Sequence, residues 1–265
     1  ISLPMLPAGS TWESGGQTYE AGNNVTSDLA LRQAMSIALD RDLAIQHTLG
    51  GFGTPAFSVS DGMPWASEDM RVETDVERAK TILAEGGWAA GSDGILVKGD
   101  VRAEFDLLYM APDTVRQALA ADFAEQMAAL GIKVNVQGLS WDELEPQSYS
   151  QAILWGWGSN SPVEIYELNH SDGWGDYACR ISDATDSYLE QAVSQTDIAD
   201  SYEYYRLAQW DGETGVTPES DAPWVWIANV DHLYFAREGL KVAEQKPHPH
   251  GHGWSIINNV DKWSW

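Results

Sequence analysis

Apolar residues recur along this chain in two patterns, one with helical spacing and one in short continuous runs. A helical pattern begins at Ser27 or Asp28, either of which can cap a first turn, and continues to Ala38. Similar spacing predicts further helices over residues 43–49, 75–85, 114–130, 182–194 and 198–210. The chain is therefore expected to be rich in amphipathic helices.

Two apolar runs, at residues 105–110 and 132–136, flank the long predicted helix between them. That helix carries an apolar set expected to point inward: Val115, Leu119, Phe123, Met127 and Leu130. Strand, helix and strand within about 35 residues are typical of a βαβ unit with parallel strands and a right-handed crossover. Other runs predict short strands at 95–97, 152–157, 224–228 and 233–235.

The remaining segments lack a clear period. Residues 1–6 are expected to form the tail of a strand, and the Gly-, Ser- and Pro-rich stretch up to residue 23 to form a loop. An acidic loop is expected over 211–222, and residues 247–265 are expected to be irregular.

One stretch, residues 152–162, combines an apolar run with small polar residues. Gly156 and Gly158 remove side chains on either side of Trp157, so a ligand or another backbone can approach closely. In open α/β sheets, ligands bind just beyond the carboxyl ends of the strands. The stretch is a candidate ligand-facing edge, with a core strand running into a turn as the alternative.

Composition narrows the function classes. The net charge is −25, from 40 acidic and 15 basic residues, which argues against nucleic acid and disfavours anionic membrane surfaces. No apolar stretch approaches the length of a membrane helix. Hydrophobic content of 43% supports a globular core, and some of the 13 tryptophans are candidates for lining a binding surface.

Two further features concern processing and cysteine chemistry. The first residue is Ile1, so we expect that an upstream segment was removed or that the chain is a piece of a longer one. Cys179 is the only cysteine and cannot form an internal disulfide. A small buried thiol is favoured there over a nucleophile.

Four motifs together resemble the peptide/nickel group of solute-binding proteins of ABC importers, extracellular solute-binding family 5. Residues 28–41 resemble the family's VRQAxxxAIDR helix, and residues 76–88 its AKxLLxEAGW helix. Residues 126–136 resemble its LxxxGIxV joint, and residues 155–162 its GWxxDxxDP segment. The order and spacing of the four motifs are specific, and they cover roughly residues 24–240.

The resemblance implies a fold class: α/β, a periplasmic-binding-protein-like type II lobe with a mixed sheet flanked by helices. It implies that residues 1–23 are a junction segment and residues 24–229 the second lobe of a two-lobed protein. Residues 230–265 would then return toward a first lobe that this chain lacks.

The same resemblance implies a non-enzymatic protein that captures peptides or a similar small polar solute for an ABC importer. Its expected partners are the solute and the permease subunits. It is expected to be a monomer outside the cytoplasmic membrane, either periplasmic or a cell-surface lipoprotein held by an anchor outside this chain.

Five residues are candidate ligand contacts. The resemblance implies an acidic residue after the GW pair to hold a peptide amine, but here that region reads Ser159 and Asn160, with Asn160 the nearest match. An amide supplies no full counter-charge, which puts a free amine at this position in doubt. Trp157 is a candidate wall, Trp155 shares its face of the strand, and Tyr109 ends another strand.

Three histidines, His248, His250 and His252, lie at alternate positions near the end of the chain. In an extended chain their imidazoles point one way and suit Zn²⁺ or Ni²⁺. The alternative is a tight turn in which the histidines are solvated or hydrogen-bonded. A transition-metal carrier of the same family is therefore the second hypothesis, without a firm cofactor assignment.

An enzyme of the glycoside hydrolase type is the third hypothesis. It would use paired carboxylates, with Glu143 and Glu145 as the available pair, beside tryptophan platforms. Alternate acids of this kind are usually solvated, and the chain has no GxSxG, HExxH or phosphate-loop motif.

Overall fold

A computed structural model describes residues 1–158, 161–244 and 259–265. The helices are α1 (Leu29–Ala38), α2 (Arg41–Leu49), α3 (Val76–Glu85), α4 (Thr114–Ala128), α5 (Trp141–Leu144), α6 (Val163–Asn169), α7 (Asp183–Val193) and α8 (Ile198–Gln209). The strands are β1 (Ser10–Ser14), β2 (Gln17–Ala21), β3 (Gly53–Pro55), β4 (Ala89–Ala90), β5 (Leu96–Lys98), β6 (Val101–Arg102), β7 (Glu104–Met110), β8 (Lys133–Leu139), β9 (Ala152–Leu154) and β10 (Ala228–Val230).

The helices predicted from apolar spacing are confirmed, with ends that differ by a few residues. Six of them begin after a residue whose side chain accepts a hydrogen bond from a main-chain N–H of the first turn. These caps are Asp28, Asp40, Asp75, Asp113, Ser182 and Asp197. Local sequence thus defines where these helices start.

The central sheet contains the predicted βαβ unit. Strands β8, β7 and β9 run parallel in that order, with Leu107 opposite both Val136 and Ala152. Residue Ser2 then bridges antiparallel to Ile153 on one side and to Trp224 on the other. The sheet is therefore mixed, and its last two members come from opposite ends of the chain.

The two faces of this sheet pack against different elements. On β7, Phe105, Leu107 and Tyr109 join the main core, which includes Phe123 and Met127 of α4. The alternate residue Leu108 belongs instead to a small cluster with Leu144 and Ile153. Side chains therefore alternate between the helix-covered face and the face that leads to the candidate site.

The first 23 residues differ from the expected loop. Strands β1 and β2 form an antiparallel hairpin in which Trp12 is opposite Tyr19, and Gly15 and Gly16 both take positive φ at its turn. Trp12 is 8% exposed and packs in a second core cluster. The hairpin is therefore stabilised by tertiary contacts, which the local sequence pattern does not show. Helix α6 was also missed by the sequence pattern.

Two other expectations were wrong. Residues 233–235 form no strand, and Phe235 is 98% exposed. Val115 lies on the solvent side of α4 instead of the core side. The segment 211–222 is a loop, as expected, but it is partly buried: Val216 is enclosed and Asp221 pairs with the buried guanidinium of Arg180 at 2.8 Å. No helix among the described residues is long and apolar enough to cross a membrane.

Arg41 generates a prediction about stability. Its buried guanidinium donates to the carbonyls of Ser36, Leu39, Ala56 and Trp226. Because Arg41→Met leaves buried carbonyl oxygens without donors, we expect it to lower the free energy of unfolding by about 3 kcal/mol. Urea unfolding followed by circular dichroism measures this loss.

Arg71→Met is a matched control for that substitution. Both guanidinium carbons lie about 5 Å from the ring of Phe57, at 4.9 Å for Arg41 and 5.1 Å for Arg71. Arg71 is exposed and its ion pair is with the exposed Glu68, so its loss should cost less than about 1 kcal/mol. Equal losses in the two variants would contradict the assignment.

Asp28 generates a prediction about pH. Its burial opposes ionisation, but hydrogen bonds from Lys98 and Trp88 outweigh the burial and hold the pKa of Asp28 below its usual 3.8. The folded-state pKa is the lower one, so the stabilisation is present above about pH 3.8 and is lost as the pH falls through the folded-state value. We expect the stability gap between wild type and Asp28→Asn to narrow between about pH 6 and about pH 3 in urea titrations. A stability gap for Asp28→Asn that stays constant over this pH range would refute the linkage.

Candidate ligand-binding groove

The candidate site lies where the parallel strands end. Strand β9 stops at Leu154, three residues before the predicted end, so Trp155, Gly156 and Trp157 extend beyond the sheet edge. Met110 ends the neighbouring strand β7, and α4 starts four residues later. These positions are the carboxyl ends of adjacent parallel strands, the usual ligand position in such sheets.

Aromatic rings line a first cavity of about 250 Å³ at this edge. The rings of Trp155 and Tyr177 stack with centroids 4.4 Å apart, and Trp157 lies 5.5 Å from Trp174 in an edge-to-face contact. Trp141 contacts Trp155 edge to face at 6.1 Å. The mutual contacts hold these large side chains in place, which preorganises the surface that they form.

A second cavity of about 320 Å³ continues from the first and shares Trp141, Trp174 and Tyr177 with it. Tyr19 of the hairpin and Tyr149 complete its wall, with ring centroids 4.9 Å apart. We call the two cavities together the aromatic groove. It joins residues of the hairpin, the β9 region and the segment around Tyr177.

Only two charged side chains are found among the described residues that line the aromatic groove, Arg116 in the first cavity and Glu145 in the second. Arg116 Nη1 lies 3.2 Å from Oδ2 of Asp113, the cap of α4. A Cβ atom built on Gly156 would lie 2.6 Å from Arg116 Nη2, so the guanidinium covers the main chain at Gly156. A side chain at position 156 would displace the Arg116 guanidinium from this position.

Glu145 accepts a hydrogen bond of 2.7 Å from the hydroxyl of Tyr19. This bond raises the pKa of Tyr19, and burial raises the pKa of Tyr177 to about 12. Both phenols are therefore neutral at physiological pH. Trp157 Nε1 and Ser148 Oγ are buried without a hydrogen-bond partner among the described residues.

Buried residues on either side of Tyr177 hold the segment that carries it in place. Asp176 is fully buried and its Oδ2 accepts from the main-chain N–H of Arg180 at 2.8 Å, while burial raises the pKa of Asp176 well above its usual value. Cys179 is also buried, which raises the pKa of its thiol. The expected inert thiol fits this environment, since a protonated, enclosed sulfur is a poor nucleophile.

The structure places two of the predicted site residues, Trp155 and Trp157, on the groove. Tyr109 is instead 7% exposed and lies in the main core, with its ring against Gly138. This placement corrects the expected position: Tyr109 points to the helix-covered face of the sheet, and its neighbour Leu108 packs on the other face with Leu144 and Ile153. Outside the described residues lie Ser159, Asn160, His248, His250 and His252.

Several groove residues were not singled out from the sequence: Tyr19, Arg116, Trp141, Tyr149, Trp174 and Tyr177. They are far apart along the chain, so no local pattern connects them. The high tryptophan count did indicate a binding surface lined by aromatic rings. Within the described ranges, no three His, Cys, Asp or Glu side chains are grouped to hold a metal ion.

Residues 8–177 match the sequence model of the bacterial extracellular solute-binding proteins, family 5 Middle. Protein XP55 of Streptomyces lividans is 31% identical over 252 residues, which cover 87% of this chain and 45% of that protein. Oligopeptide-binding protein AppA of Bacillus subtilis is 26% identical over 255 residues, or 91% of this chain and 45% of the relative. The chain thus spans about half the length of these relatives.

Solved structures agree with this match. AppA of Bacillus subtilis in complex with a nonapeptide superposes with a TM-score of 0.70 at 25% identity, over 91% of this chain and 48% of that one. NikZ of Campylobacter jejuni in complex with Ni(L-His) superposes with a TM-score of 0.73 at 21% identity, over 92% of this chain and 50% of that one. The predicted periplasmic-binding-protein-like α/β fold is confirmed. Because the family match spans more than half of its residues, this chain belongs to family 5 of the bacterial extracellular solute-binding proteins.

Proposed function

We propose that this chain is the ligand-capturing lobe of the substrate-binding component of an ABC importer, and that it takes up peptides or a similar small polar solute outside the cytoplasmic membrane. The aromatic groove at the carboxyl edge of the parallel strands carries this proposal. Rigid rings with a few polar groups are typical of small-ligand sites. The oligopeptide-binding name of the relative AppA supports the peptide class.

Capture would proceed by closure of a second lobe over the groove. The rings of Trp155, Trp157 and Tyr177 would exchange water for ligand contacts, and the polar groups at the groove would orient the ligand. In this proposal residues 24–229 form the lobe and residues 230–265 lead back to its partner lobe. The exposed Leu233 and Phe235 fit a segment that packs against something else.

The geometry supports a binding protein over a glycoside hydrolase. Glu143 accepts hydrogen bonds from the hydroxyl and the main-chain N–H of Ser140, which closes the first turn of α5. Glu143 does not line the groove, so it and Glu145 do not form a carboxylate pair on one surface. The proposed partners are the solute and the permease subunits, with the protein acting as a monomer.

Trp157 provides a test of the groove. Truncating a large, partly buried indole removes ring contacts, so Trp157→Ala should weaken solute binding by roughly 30-fold. Thermal shifts with peptide and small-solute pools on the natural full-length protein would identify a ligand, and calorimetry would give the affinities. Phe52→Ala is the control, since Phe52 is 52% exposed, lies within the proposed lobe and lines neither cavity of the groove. Equal affinity in both variants would count against the groove.

A transition-metal carrier is the second candidate function, favoured by the alternate spacing of His248, His250 and His252. If these residues bind Ni²⁺ or Zn²⁺, the triple His→Ala variant should lose at least about tenfold in affinity in calorimetric titrations. An unchanged affinity in the triple variant would reject the histidine site.

A further inference from the structure

We infer that the second cavity of the aromatic groove receives a positively charged ammonium group of the ligand, held between the carboxylate of Glu145 and the surrounding rings. The inference rests on the proposed capture function and names the chemistry that the groove selects. It assigns the counter-charge for the ammonium group to Glu145, which precedes Trp157 in the chain, and not to Ser159 and Asn160, which follow Trp157.

The enclosure of Glu145 is the first argument. The carboxylate lies in a cavity of about 320 Å³ whose wall includes Tyr19, Tyr149, Tyr177, Trp141 and Trp174. Aromatic faces carry negative electrostatic potential and attract ammonium groups, most strongly when several rings surround the cation. A carboxylate inside such a cage adds a full counter-charge.

The state of Glu145 is the second argument. Its Oε1 accepts from the hydroxyl of Tyr19, which orients the carboxylate, and among the described residues it has no Lys or Arg partner. Two other partly buried carboxylates are paired with cations, Asp28 with Lys98 at 2.6 Å and Glu104 with Lys133 at 2.7 Å. A fixed, unneutralised carboxylate among rings therefore leaves its negative charge for a ligand to balance.

The sequence supplies the third argument. The resemblance implied an acidic residue after the GW pair, and this chain has Ser159 and Asn160 there. An amide cannot neutralise an ammonium group, whereas Glu145 can, and its cavity shares three aromatic residues with the cavity that Trp157 lines. The charged residue of the first cavity is Arg116, which pairs with Asp113, so the first cavity offers no carboxylate to a cation.

The test compares charged probes with neutral counterparts, on the natural full-length protein. One arm uses a tripeptide pool with free amines against the same pool N-acetylated. The other uses choline against 3,3-dimethylbutan-1-ol, in which carbon replaces the charged nitrogen. We expect the charged member of at least one pair to bind about tenfold tighter by calorimetry. The arm that responds distinguishes a peptide amine from a quaternary ammonium.

Variants then locate the effect. Glu145→Gln keeps an acceptor for the Tyr19 hydroxyl but removes the charge, so it should abolish the tenfold preference while neutral probes bind as before. Asp142→Asn is the matched control: it removes one exposed charge three residues away, outside the groove lining, and should keep the preference.

The outcomes separate this inference from the proposed function. If charged and neutral probes bind equally well, or if Glu145→Gln keeps the preference, the ammonium assignment is overturned while solute capture stands. If no member of any pool binds the wild-type protein, the capture function fails and the ammonium assignment fails with it.

Discussion

Two buried arginines, Arg32 and Arg41, connect parts of this fold that are far apart in sequence. Arg32 donates to the carbonyls of Thr26, Ser27 and Asp221. Burial lowers the pKa of each arginine to about 10, so each still carries its charge at neutral pH. Hydrogen bonds from charged donors to buried carbonyls are strong and directional, and here they join helices α1 and α2 to the segments around Thr26, Ala56 and Asp221.

These contacts extend to the groove. Arg32 holds the carbonyl of Asp221 and Arg41 that of Trp226, so the strand-like segment between them is fixed at both ends. Trp224 of that segment lies edge to face with Trp157 at a centroid distance of 6.1 Å. The two arginines belong to the motif at residues 28–41 on which the family resemblance partly depends, and their role in this structure is to position main chain behind the binding surface.

Much of the fold could be predicted because its signals are local. Acidic caps mark helix starts, and the βαβ unit follows from two apolar runs around one periodic helix. The groove was only partly predictable. Trp157 adjoins a strand end and was found, whereas Tyr19 reaches Tyr149 across 130 positions that no local pattern connects. Tyr109 was expected at the ligand site, and this was wrong. Alternate residues of a strand share a face, so Tyr109 lies on the core face together with Phe105.

The hairpin β1–β2 pairs only with itself among the strands of the described chain, yet its Tyr19 forms part of the groove wall. Its turn at Gly15 and Gly16 is exposed, and added or deleted residues there disturb no register of the central sheet. Over evolution such a unit can change length or sequence independently of the core. One end of the groove can therefore diversify among homologous proteins while the parallel strands beneath it stay the same.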